Sequence, residues 1–191
     1  MRHPIFAANL PQMKSTSEFI DRILRTEKLM EKLTPSEPLD WELSRKIREA
    51  DDATIAGGKA IGSATAFALI RGGLLYAVDA LDPAHVIFQE AHGDLGSYWH
   101  GMLHRREGDF DNARYWFRRA GGQPFFNVLH GAASEVSPDM ARQLNWDPYL
   151  FTGQCEQARH GAEELVGEMA KLQRAEFDAI FDYCWRQAIA G

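Results

Sequence analysis

The chain has 191 residues, 45% of them hydrophobic and 25% charged, which suffices for one globular domain with a sizeable core. A formal net charge of −6 and a pI near 5.6 exclude the basic face that a general nucleic-acid binder, or a protein of anionic membrane surfaces, requires. Two cysteines, Cys155 and Cys184, are too few for a disulfide scaffold; they predict buried thiols in a reducing compartment, and the expected location is the cytoplasm.

The chain opens Met1-Arg-His-Pro-Ile-Phe-Ala-Ala, an apolar run too short for a signal-peptide core. Ser15 followed by Glu18 has capping-box spacing and predicts a helix to about Leu33. Pro35 and Pro38 break the chain, and a second helix is predicted over Leu39 to Ala50. Gly57-Gly58-Lys59 precedes a helix but lacks the rest of a phosphate-binding loop. Ala60 to Leu81 is apolar enough to raise a membrane span, yet Arg71, Asp79 and the pair Gly72-Gly73 point instead to a central buried helix. Asp82-Pro83, Ser137-Pro138 and Asp147-Pro148 each place a capping side chain before a proline at a helix start. The last helix should run from about Glu163 to Ala188, with Leu165, Met169, Leu172, Ile180, Phe181 and Cys184 on one face. Trp41, Trp146 and Trp185 are expected in the core. With only five valines and no sustained alternation of apolar and polar residues, no strand is expected. The fold class is all-α: a single-domain helical bundle over residues 1–191, with about eight to ten helices.

The segment from Tyr98 to Ala120 holds two histidines, five arginines and three carboxylates, and predicts helices over 95–107 and 109–120 turning at Gly108-Asp109. Gly101, Gly108-Asp109-Phe110-Asp111-Asn112-Ala113, Phe117 and Ala120 resemble one tetratricopeptide-repeat helical hairpin spanning residues 97–121. That resemblance implies a hairpin in which small residues lie where the helices cross and an aromatic anchors the second. No second copy follows at a period of about 34 residues, so no repeat array is expected. Leu81-Asp82-Pro83-Ala84-His85 together with Tyr98-Trp-His-Gly-Met-Leu-His-Arg-Arg-Glu-Gly-Asp is also similar to a family of uncharacterised helical proteins from bacteria and fungi. That likeness implies no activity.

His100, His104 and Glu107 stand at i, i+4 and i+7, on one helical face, a spacing suited to two imidazoles and a carboxylate meeting at a divalent metal or serving as acid and base. His85, Gln89 and His92 repeat that spacing on the preceding helix. The alternative is a solvated polar face. A helical wheel sets the histidines opposite Tyr98, Trp99, Met102 and Leu103, whereas the hairpin resemblance implies that they are covered; together these place them in an internal polar cavity. Arg105, Arg106, Arg114 and Arg118 are candidates for holding an anionic ligand. Arg106 falls within the apolar face and needs a carboxylate or carbonyl partner, and Arg114 and Arg118 could equally form an exposed basic face. Glu176, at the border of the last helix's apolar face, is suited to pair with one of these arginines.

Two function classes follow. One is a pocket in which His100, His104 and Glu107 act on, or hold through a metal, a small anionic molecule, with His85 and the arginines completing the site. The other is a tetratricopeptide-like module that binds a protein partner. A closed pocket with buried histidines favours the first, and an open groove of exposed Asn, Arg and Tyr the second.

Overall fold

The computed structural model describes residues 16–190; Met1 to Ala8 and Ser15 lie outside that range. Eleven helices occur among the described residues: α1 (Glu18–Leu24), α2 (Trp41–Glu49), α3 (Asp52–Ala56), α4 (Ala64–Ala77), α5 (Leu81–Glu90), α6 (Asp94–Glu107), α7 (Phe110–Ala120), α8 (Phe126–Val136), α9 (Pro138–Ala141), α10 (Pro148–Ala158) and α11 (Glu163–Ala188). The only β-type pairing among the described residues is the isolated bridge Ile61–Ile189. The all-α class holds, and the excess over the expected number comes from short turns such as α3 and α9. No helix among the described residues is long and apolar enough to cross a membrane.

The expected central helix is α4, capped by Ser63 and packed against α1, α2, α5, α6 and α11. Its glycines let those neighbours close in: a Cβ on Gly72 would stand 2.5 Å from the Phe88 ring, and one on Gly73 2.9 Å from Phe181. Helix α11 crosses it with Met169, Leu172, Ile180, Phe181 and Cys184 buried, as their spacing predicts. Leu165 is instead exposed, because full burial along α11 begins only at Met169.

Other boundaries also move. Ser17 rather than Ser15 caps α1, which ends at Leu24 and not near Leu33. Lys28 and Met30 take left-handed backbone, which interrupts the i to i−4 ladder, although Leu29, Met30 and Leu33 remain buried. Asp147 caps α10 through Tyr149 and Leu150 N–H, as expected, whereas Ser137 precedes Pro138 without a side-chain cap bond. Asp82 is not a cap either: α5 starts at Leu81, and Pro83 is its third residue, where its missing N–H still costs no intrahelical bond. Trp146 and Trp185 are buried, but Trp41 is 69% exposed, at the start of α2 where the bundle opens into a cleft.

The junction between α4 and α5 is the reason for that early start. Asp79 N–H donates to Tyr76 O (3.2 Å) and Ala80 N–H to Leu75 O (2.9 Å), the two bonds of a Schellman ending. Such an ending needs one left-handed residue, usually glycine, and here it is Asp79 at φ 61.

Helices α6 and α7 form the expected antiparallel hairpin. Gly108 turns at φ 81, Asp109 accepts from Asn112 N–H (3.2 Å), and Ala113 and Phe117 are buried against α6. A Cβ on Gly101 would stand 2.8 Å from the Phe117 ring, so glycine sets the spacing of the pair. From Gly96 to Arg106 every residue of α6 is buried. A helix covered on all sides carries its polar residues inside, and those residues must find partners there.

Candidate functional site

Two polar clusters lie on α6. The first belongs to its arginines. Arg105 forms a fully buried ion pair with Glu176 of α11, and Tyr98 Oη donates to the same carboxylate at 2.7 Å while accepting from Trp146 Nε1 at 2.9 Å. Burial works against the charge of Arg105, but Glu176 outweighs it and holds the guanidinium protonated more firmly than usual. The Phe151 ring lies over the same guanidinium at 4.5 Å. Arg106 bonds Asp79 Oδ1 at 2.5 Å, Tyr76 O at 2.7 Å and Lys32 O at 3.2 Å. The expected pairing of Glu176 with a motif arginine is therefore present, and Arg106 has the carboxylate its position required. Both guanidiniums point into the core and do not join the histidines.

The second cluster is built from α5, α6 and α7. His85 approaches His100 and His104 edge-on, with ring centroids 4.8 and 4.9 Å away. His100 is sandwiched between His104 (4.7 Å) and Trp116 (4.1 Å), both nearly parallel to it. His100 is 3% exposed and His104 5%, so neither faces bulk solvent; the way in is along the half-buried His85 and Glu107.

Hydrogen bonding specifies the protons. Glu107 Oε1 lies 3.1 Å from His85 Nδ1, and Oε2 lies 2.8 Å from His104 Nδ1. Burial opposes the Glu107 charge, but the hydrogen bond from His104 and the nearness of His85 prevail and hold its carboxyl below the usual range. An ionised carboxylate only accepts, so both Nδ1 atoms carry the protons of these two bonds. Asn112 Nδ2 lies 3.1 Å from His104 Nε2, and His100 Nε2 lies 3.0 Å from His85 Nε2, each within hydrogen-bonding distance. His100 Nδ1 is left buried with no partner. Burial, followed by the proximity of His104 and His85, pushes the His100 pKa down to about 4, so its imidazole is neutral near pH 7.

One ring nitrogen from each of His85, His100 and His104 can be chosen so that all lie within 4.8 Å of one another. Two imidazoles bound to one tetrahedral ion at 2.0–2.1 Å stand about 3.3 Å apart, close to the His85–His100 separation. A neutral donor is what a metal needs, and a carboxylate on the far nitrogen is the usual second-layer support.

Of the residues expected at the site, His85, His100, His104 and Glu107 come together. Gln89 and His92 are exposed and stand apart from the cluster, because α5 ends at Glu90 and presents only its first turns to α6. Arg114 is tied to Asp111 and Glu156, and Arg118 is exposed on α7. Trp116 and Asn112 were missing from the expected set. They were legible in the hairpin register: Asn112 is as far after Gly108 as His104 is before it, and Trp116 mirrors His100. The cysteines are buried and free, their thiols pushed up to about 12 chiefly by burial, which makes them poor nucleophiles.

Comparison with protein-family models, with curated proteins and with solved structures finds no match to this chain.

Proposed function

We propose that the protein binds a divalent transition-metal ion of the zinc class through His85, His100 and His104. The observation that carries this reading is the convergence of three imidazole nitrogens within 4.8 Å, two of them backed by one carboxylate, Glu107. Imidazole ligands suit zinc, nickel or copper rather than magnesium or calcium. Three ligands leave a fourth position for water or the anionic group of a small molecule. The anion would then be held by the ion rather than by Arg105 or Arg106, whose terminal guanidinium nitrogens are directed at Glu176, Asp79 and backbone carbonyls inside the core. Burial of His100 and His104 favours this reading over a peptide-binding groove.

The test is calorimetric titration of chelator-treated protein with zinc. One equivalent should bind, and His85→Ala, His100→Ala and His104→Ala should each abolish that event while leaving helical content unchanged. Glu107→Gln should weaken binding by roughly 10–100-fold. Binding of equal strength to a variant lacking all three histidines would overturn the proposal.

A further inference from the structure

On the other side of Glu107 a cleft of about 320 Å³ opens between the chain around Pro35 and Pro38, the first turns of α2, and the α4–α5 junction. Its walls carry four carboxylates, Glu37, Asp79, Asp82 and Glu107, against one guanidinium, Arg48, with Trp41 at the mouth. We propose that this cleft is a binding site for a small, extended organic cation, an alkyl diamine being the simplest form.

Asp79 supplies the first argument. It is 2% exposed and lines the cleft; Oδ1 is bound by Arg106, but Oδ2 is buried with no hydrogen-bond partner. A buried carboxylate oxygen without a donor is costly, and a donor entering from the cleft would supply what it lacks. The second argument is shape. Among the described residues no three of these carboxylates converge as metal ligands would, as only the histidine trio does so. Spread-out carboxylates match separated positive charges better than a point cation. Trp41 supplies the third: a large ring left 69% exposed at the mouth of an acidic cleft offers its face to an ammonium group. The volume lies at the small end of ligand sites, which suits a ligand of a few heavy atoms. Anions are disfavoured by the excess of carboxylates.

This inference goes beyond the metal site and is tested without it. Chelator-treated full-length protein is titrated with 1,4-diaminobutane, followed by calorimetry and tryptophan fluorescence. Saturable binding with a change in emission is expected, tighter than for butylamine, with magnesium and phosphate failing to compete. Glu37→Gln combined with Asp82→Asn, both at exposed positions, should weaken binding about tenfold, equivalent to about 1.4 kcal/mol. Trp41→Leu should weaken it and remove the fluorescence response, whereas the distant Glu163→Gln should change neither. Asp79→Asn can fail to fold because Arg106 loses its carboxylate, so the exposed pair carries the test. Absence of saturable diamine binding, equal binding of phosphate, or indifference to the Glu37/Asp82 double substitution would overturn the proposal.

Discussion

The two polar clusters of α6 differ in what their groups are bound to, although each leaves buried atoms without a partner: Nε of Arg105 and of Arg106 on one side, His100 Nδ1 on the other. On one side Arg105 and Arg106 meet Glu176 and Asp79, backbone carbonyls and aromatic faces, and their guanidinium nitrogens at the fork are all directed at fixed partners. On the other side three imidazoles share one carboxylate, and His100 Nδ1 has nothing to bond. Both clusters are buried, and both cost desolvation. The arginine side returns that cost as fixed packing between helices distant in sequence. The histidine side brings three imidazole nitrogens within 4.8 Å of one another, an arrangement that suits a cation. Burial alone therefore does not mark a site; the convergence of ligand nitrogens does.

That contrast can be broken by substitution. Glu176→Ala should have the largest effect, destabilising by about 3–5 kcal/mol, because it leaves Arg105 buried and unpaired. Chemical denaturation measures this, and a loss under about 1 kcal/mol would mean that water reaches the guanidinium. Phe117→Ala should cost roughly 3–5 kcal/mol by opening a cavity beside Gly101 and Tyr98. A change below about 1 kcal/mol would show that the ring does not anchor the hairpin.

Acid should act on the histidine side. The folded pKa of His100, about 4, lies below its ordinary value of 6.5, so the unfolded chain binds more protons between those values and stability falls as pH drops through that window. The loss attributable to His100 is on the order of 2–3 kcal/mol. Glu107, with its depressed pKa, extends the decline below its ordinary value of 4.5. Denaturation followed from pH 7 to pH 4 should show this slope, and His100→Gln should flatten its upper part; an unchanged slope would locate the protons elsewhere. The smallest effect is expected at Leu165→Ser, within about 0.5 kcal/mol, since that residue is 41% exposed.

Much of the fold was legible in the sequence because the helices begin and end on residues with local physical roles. Asp147-Pro148, Gly108-Asp109 and the apolar period of α11 each act within a few residues, and each lies where its chemistry predicts. The failures are tertiary. Nothing local distinguishes Trp41 from Trp146; one faces a cleft and the other reaches Tyr98 Oη. Asp82-Pro83 carries a good cap signal, but Asp79 in the left-handed ending of α4 starts the next helix earlier, and Asp79 stands there where its carboxylate can reach Arg106. At the site, the shared face of His100, His104 and Glu107 was legible from spacing, whereas the arrival of His85 depended on how α5 packs. Arg105 and Arg106 could not be separated from ligand-binding arginines by sequence because their partners lie 71 and 27 residues away.

X-ray absorption at the zinc edge of the protein loaded with one equivalent tests the central claim most directly. Three imidazole nitrogens at about 2.0–2.1 Å, completed by one oxygen ligand, are expected. A shell of oxygens alone, or one whose imidazole contribution survives loss of His85, His100 and His104, would contradict it.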